Sequence, residues 1–117
     1  MFAVIIGAFG AHGLEGKVTA AQISAYETGV QYHFYHTFAV FIAAWLAVHF
    51  KDSIFQKAGW FFIVGILFFS GSLYLLATRS LLGIENWAKI LGPITPIGGT
   101  LFILGWGILT YGIFKNR

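Results

Sequence analysis

Residues Ala58–Thr78, AGWFFIVGILFFSGSLYLLAT, run for twenty-one positions without an Asp, Glu, Lys or Arg. A bilayer span needs about 20 mostly apolar residues, and one charge at its centre costs about 2.5 to 3.5 kcal/mol on insertion scales. Val30–Phe50 and Ile90–Phe114 meet the same test. Three charge-free windows in 117 residues describe a membrane protein. The composition agrees: 58% of residues are hydrophobic and 9% charged, with a mean hydropathy of +0.81. A soluble domain carries about 25% charged residues, so a soluble enzyme, a disordered chain and a nucleic-acid-binding module are excluded. The net charge of +3 comes from seven Lys/Arg against four Asp/Glu, scattered rather than gathered in a patch. With no Cys there is no disulfide, thiol nucleophile or Cys-based metal site.

The fold class is therefore all-α, an integral membrane helical bundle forming one domain over residues 1–117. Four transmembrane helices are expected at approximately 1–14, 20–50, 58–78 and 96–114, the first of them short or truncated. Met1–Leu14 is apolar but too short for a full span, and it lacks the basic start of a signal peptide. Ala3, Gly7 and Ala11 recur every four residues, and small residues at that spacing let helices approach closely. Thr19 and Gln22 have capping-box spacing, which starts the second helix near Ala20. Lys51–Lys57 and Arg79–Lys89 are read as connections, and Thr95-Pro96 as the N-cap and first residue of the last helix.

Lys51, Lys57, Lys115 and Arg117 fall on one side of the membrane; Lys17, Arg79 and Lys89 fall on the other. The excess favours both termini in the cytoplasm. Trp60 and Tyr111 then mark the inner interface and Trp87 the outer one. Gly98, Gly105 and Gly112 recur every seven residues, answered by Ala58, Gly65 and Ser72 on the third helix. That pattern describes a close helix–helix seam, with Gly7 and Ala11 serving the first helix in the same way. A surplus small-residue face also suits a homo-oligomer.

Polar groups at membrane depth are functional candidates by default. Four clusters stand out: Gly10-Ala11-His12-Gly13, Tyr32-His33-Phe34-Tyr35-His36, Ser70-Gly71-Ser72-Leu73-Tyr74 and Thr95-Pro96-Ile97-Gly98-Gly99. The end of an odd-numbered helix and the start of an even-numbered one lie on the same side, so all four share one leaflet. Gln22, Tyr26, Gly29, His33 and His36 share a face of the second helix, and His33 and His36 are spaced to touch one ligand or metal. The alternative is that each imidazole bonds a backbone carbonyl or a Tyr hydroxyl. Glu27 is the acid placed to exchange a proton with His12 or His33. Ser70 and Tyr74 share a face of the third helix, and a catalytic Ser would need one of the three His as its base. The candidate ligand-binding cluster is thus His12, Glu27, Tyr32, His33, His36, Ser70, Ser72, Tyr74 and Thr95. Gly92-Pro93-Ile94-Thr95-Pro96 is expected to interrupt the helix and line a cavity or a re-entrant turn.

At these residues the chain resembles a known family. Gly7-Ala8-Phe9-Gly10-Ala11-His12-Gly13-Leu14, Tyr32 with Tyr35-His36, Phe69-Ser70-Gly71-Ser72-Leu73-Tyr74, and Thr95-Pro96-Ile97-Gly98-Gly99 with Trp106 resemble the small four-helix membrane proteins of the domain-of-unknown-function family numbered 423. Transmembrane protein 256 is the animal relative. The resemblance covers essentially the whole chain and implies a multi-pass protein of the bacterial plasma membrane, with no activity attached. Family members usually carry about a dozen more apolar residues before the first motif, enough for a full first span.

Three functions compete. The leading one is a non-enzymatic bundle acting as a structural, lipid-interacting or accessory membrane protein. The second is a small oligomeric transporter or channel that handles protons or cations through His12, His33, His36 and Glu27. The third is a metal- or haem-dependent membrane enzyme using the three His. No motif calls for a cofactor, and the partners expected are membrane lipids and a second copy, not nucleic acid.

Overall fold

A computed structural model describes the chain from Met1 to Arg117 as four α-helices with no strand. They are α1 (Phe2–Gly13), α2 (Ala20–Phe50), α3 (Ser53–Leu82) and α4 (Ala88–Lys115), with a 3₁₀ turn at Glu85–Trp87 leading into α4. The last three are long and apolar enough to cross a bilayer. The twelve residues of α1 reach about 18 Å at the usual rise, short of a hydrocarbon core of about 30 Å.

Local chemistry sets the helix starts. Thr19 Oγ1 accepts the Gln22 N–H at 3.2 Å, while Gln22 Oε1 accepts the Thr19 N–H at 2.9 Å. This reciprocal cap satisfies two orphan donors and begins α2 at Ala20. Only Lys51 and Asp52 separate α2 from α3. Lys51 takes the left-handed conformation at φ 53°, and Asp52 Oδ1 accepts the Ile54 N–H at 3.0 Å. Because Asp52 caps it, α3 begins at Ser53 rather than near Ala58. It also runs four residues past Thr78, ending where Gly83 adopts φ 68° and donates its N–H to the Arg79 carbonyl.

The last helix departs most from expectation. It begins at Ala88, and Pro93 and Pro96 both lie inside it, so Gly92–Pro96 is neither a break nor a re-entrant turn. The Thr95 hydroxyl does not cap a new helix; it meets the Ser72 hydroxyl at 2.6 Å. Each proline withholds one N–H from the carbonyl four residues earlier. Membrane helices tolerate that where neighbouring helices and hydroxyls re-satisfy the backbone. Both proline rings are exposed, away from the α3 seam.

Helix α3 lies between α2 and α4, and α1 packs on α2. The seam between α3 and α4 interlocks phenylalanines with glycines. A Cβ on Gly98 would collide with the Phe69 backbone nitrogen, one on Gly105 would come within 2.7 Å of the Phe62 ring, and one on Gly112 within 2.8 Å of the Phe55 ring. Phe102 of α4 answers in reverse, its ring 2.6 Å from a Cβ on Gly65. Lipid tails are as apolar as any side chain, so close packing of this kind, not hydrophobicity, draws membrane helices together. On the other side of α3, Ala39 and Ala43 of α2 are fully buried with Phe55, Ala58 and Phe62. The short α1 approaches α2 through Gly7, next to Val30, and through Gly10, which lies against the Tyr26 ring; Ala11 is exposed.

Just 23 of 117 residues are buried, so most of the apolar surface faces outward, as a lipid-embedded bundle requires. Trp45, Trp60 and Tyr111 are exposed toward the end that carries the α2–α3 link, and Trp87 is exposed at the other, the arrangement of interfacial aromatic belts. Replacing Gly98 by Ala is expected to lower stability by about 1 to 3 kcal/mol, because backbone cannot move aside as a side chain does. Gly107→Ala, where nothing lies within 4 Å, should be neutral or stabilise by up to about 1 kcal/mol. Detergent-solubilised thermal unfolding of the two variants checks the contrast.

Candidate functional site

The polar side chains of the spans gather toward the end of the bundle that carries the α1–α2 and α3–α4 connections. His36 of α2 is buried at 5% exposure. Its Nδ1 lies 2.8 Å from the Tyr32 carbonyl one turn back, and its Nε2 accepts the Trp106 indole N–H of α4 at 3.2 Å. An imidazole accepting at Nε2 and donating at Nδ1 is the neutral ring with its tautomer fixed. The Phe102 ring stacks on it, 3.4 Å between centroids at an interplanar angle of 6°. His36 thus ties α2 to α4 across the face of α3.

His33 turns to a different neighbour. Its Nδ1 lies 3.1 Å from the Tyr74 hydroxyl of α3. The Tyr74 ring is 5.1 Å from that of Tyr26, and the Tyr26 hydroxyl donates to the Ile6 carbonyl of α1 at 2.7 Å. Gly29 makes room for Tyr74, whose ring would lie 2.9 Å from a Cβ there. Three residues apart on one helix, His33 and His36 bond to opposite neighbours, α3 and α4, and do not converge on one ligand.

The remaining candidates divide in the same way. Ser72 Oγ lies 2.9 Å from the Phe69 carbonyl and 2.6 Å from Thr95 Oγ1, which ties α3 to α4. Ser70, one turn before Tyr74, is fully buried and its hydroxyl has no hydrogen-bond partner. His12, Glu27 and Tyr32 are exposed. His12 is not brought to His33 and His36, and no three His, Asp or Glu side chains converge as metal ligands. Glu27 lies on the rim of a cavity of about 390 Å³ between α1 and α2, along with Gly7, Gly10 and Tyr26. A second hollow, about 500 Å³, opens between α2 and α4 and is lined by Tyr32, His36, Phe69, Pro96 and Trp106. Of its polar side chains, His36 and Trp106 are bonded to each other.

At the opposite end Asp52 holds the start of α3 to the end of α4 through three partners. Besides capping α3, its Oδ2 accepts from Lys115 Nζ at 2.8 Å and from the Asn116 amide at 3.1 Å, and Asn116 also donates to the Gly112 carbonyl at 2.9 Å. Sequence reasoning misses this clasp because both partners lie more than sixty residues away. An Asp directly before an apolar helical run is a capping signal all the same. Trp106, the partner of His36, was legible only as a motif residue.

Comparison with known proteins places this arrangement. The profile of the family described as "Protein of unknown function (DUF423)" matches residues 6–99. The chain belongs to this family. It is 42% identical over 116 residues to the UPF0382 membrane protein YwdK of Bacillus subtilis (strain 168), covering 98% of this chain and 89% of that protein. It is 44% identical over 115 residues to a UPF0382 membrane protein of Staphylococcus aureus (strain bovine RF122 / ET3-1), covering 98% and 88%. A UPF0382 membrane protein of Haemophilus influenzae is 42% identical over 119 residues, covering 99% and 87%. No solved structure matches the chain. The relatives are bacterial membrane proteins by name, which agrees with the three spans of the fold.

Two outcomes follow for this DUF423 protein. Trp106→Phe deletes the donor to His36 but keeps an aromatic ring, and should cost about 1 kcal/mol, read from detergent-phase unfolding. The second concerns Asp52, whose carboxyl is held well below the usual carboxylate range, chiefly by the Lys115 ammonium and then by the Ile54 N–H and the Asn116 amide. Lys115 is raised in turn by Asp52. A carboxyl lowered on folding contributes stability above its unfolded value and loses it as pH falls through the folded one. The raised ammonium contributes below its unfolded value and loses its share as pH rises through the folded one. Asp52→Asn should therefore melt lower than the parent at neutral pH, and the two curves should converge in strong acid. A constant gap across the pH range would show that the clasp does not depend on charge.

Proposed function

We propose that this protein is a non-catalytic structural bundle of the bacterial plasma membrane, an accessory element whose span-depth polar groups fasten helices. One observation carries the reading. His33, His36, Ser72 and Thr95 each bond a neighbouring helix or their own backbone, so both ring nitrogens of His36, one of His33 and both hydroxyls are engaged in packing. A proton pathway or a metal centre needs groups that are free to exchange partners. The residues on which those functions would rest face different neighbours or the surroundings. Interhelical hydrogen bonds of this sort are worth about 1 kcal/mol each within a membrane, enough to set register and neighbour choice.

Transport has one observation of its own in Ser70, the buried hydroxyl without a partner, and the experiment is built around it. On the structural reading, Ser70→Ala removes a desolvated group that gains nothing and should raise stability by about 1 kcal/mol. His33→Ala and His36→Ala should each lower the unfolding temperature. Proteoliposomes of the parent should pass protons and monovalent cations no faster than empty vesicles. Parent flux that disappears in a folded Ser70→Ala or His33→Ala variant would overturn the structural reading and establish conduction.

A further inference from the structure

Where the α1–α2 connection meets the end of α3 there is a polar cavity of about 620 Å³, unlike the apolar grooves along the spans. Lys17, Thr19, Gln22, Arg79, Ser80 and Glu85 line it. Its charges are not spent on one another, since the protein's one ion pair, Asp52 with Lys115, lies at the other end of the bundle. Arg79 uses one Nη1 contact on the Leu76 carbonyl at 2.6 Å, leaving most of its five donors available. Gln22 supplies the second, independent observation. At 9% exposure it is nine-tenths buried, and its Oε1 is held by the Thr19 N–H. Its amide NH₂ has no partner within the protein and belongs to the cavity lining.

The depth of the cavity defines the ligand further. Arg79 is the first charge after the charge-free Ala58–Thr78 window. Helix α3, with thirty residues, is about 45 Å long against a hydrocarbon core of about 30 Å, so its end lies among the headgroups. A volume within the usual range for small-molecule sites, about 300 to 1,000 Å³, admits a polar headgroup there. Two cations with an amide donor suit a phosphodiester, because charge-assisted bonds to phosphate oxygens are the strong ones. An anion alone would leave Glu85 opposing it. A zwitterion would not.

We propose that this cavity binds the headgroup of an amine-bearing phospholipid, with the phosphodiester on Lys17, Arg79 and the Gln22 amide, and the ammonium on Glu85. This site is separate from the interhelical fastenings, and the inference goes beyond the structural reading above by naming a ligand. The test is native mass spectrometry of the full chain in detergent, titrated with phosphatidylethanolamine, with phosphatidylglycerol and with soluble phosphoethanolamine. One molecule of phosphatidylethanolamine should be retained, with phosphatidylglycerol about tenfold weaker. Glu85→Gln should erase that preference, and Lys17→Gln or Arg79→Gln should weaken both lipids about tenfold. The exposed positions of Lys17 and Glu85 keep two of the three variants clear of the packed core, and unliganded unfolding curves matching the parent confirm their fold. Equal binding of both lipids by the parent, or an unchanged preference in Glu85→Gln, would overturn the proposal. Soluble phosphoethanolamine binding as tightly as the lipid would overturn the membrane-lipid assignment in favour of a water-soluble phosphate ester.

Discussion

Phe55, Phe62 and Phe69 of α3 rest against Gly112, Gly105 and Gly98 of α4, and the rest of the bundle depends on that interlock. Both series advance by seven residues, in opposite chain directions, so the Phe55 and Phe62 rings and the Phe69 backbone each meet a position without a side chain at every second turn. The close approach that results puts Phe102 over Gly65 and brings Thr95 within 2.6 Å of Ser72. It also carries Phe102 and Trp106 far enough across α3 to reach His36 on α2. A wider seam would separate all of these pairs at once.

The polar bonds therefore belong to the packing rather than standing apart from it. His36 is a strut between two helices that hardly touch directly, the Tyr26–Tyr74–His33 group is a cluster of tilted rings joining α1, α2 and α3, and Ser72–Thr95 is a pin in the α3–α4 seam. The Tyr26–Tyr74–His33 group and the Ser72–Thr95 pin sit toward the end that carries the α1–α2 and α3–α4 connections, and the His36–Trp106 strut lies near mid-span. The far end relies on packing among alanines and phenylalanines and on the Asp52 clasp. Two different chemistries thus hold the two ends, one of neutral hydrogen bonds within the spans and one of charge at the surface.

What could be read in advance follows the range over which each signal acts. The charge-free windows announce the spans because insertion depends on the residues within one local window, and the cap joining Thr19 and Gln22 marks the start of α2 because its partners are three residues apart. The start of α4 could not be read the same way. Thr95-Pro96 carries a strong local signal for a helix start, but the Thr95 hydroxyl is drawn to Ser72, twenty-three residues earlier, and the helix runs through both prolines. The periodic glycines could be read as a seam; that phenylalanines rather than small residues fill them could not, since the small series Ala58, Gly65 and Ser72 runs in the same register along α3. The two His at ligand spacing carry the same lesson: spacing on one helix says which side chains are neighbours, while the flanking helices decide where each one turns.

Apart from the His36 strut between α2 and α4 and the buried Leu14, which shares a small cluster with Tyr26 and Ala77, the main contacts join helices that are consecutive in the chain, α1 with α2, α2 with α3 and α3 with α4. The bundle can therefore be assembled in the order of synthesis. The two-residue link between α2 and α3 lets that hairpin close while the remainder is still emerging, and loops this short close quickly. The phenylalanine face of α3 can wait in lipid at little cost, because the tails solvate it nearly as well as the glycines will. When α4 inserts, it adds to a surface already formed, and no earlier helix has to be moved to admit it.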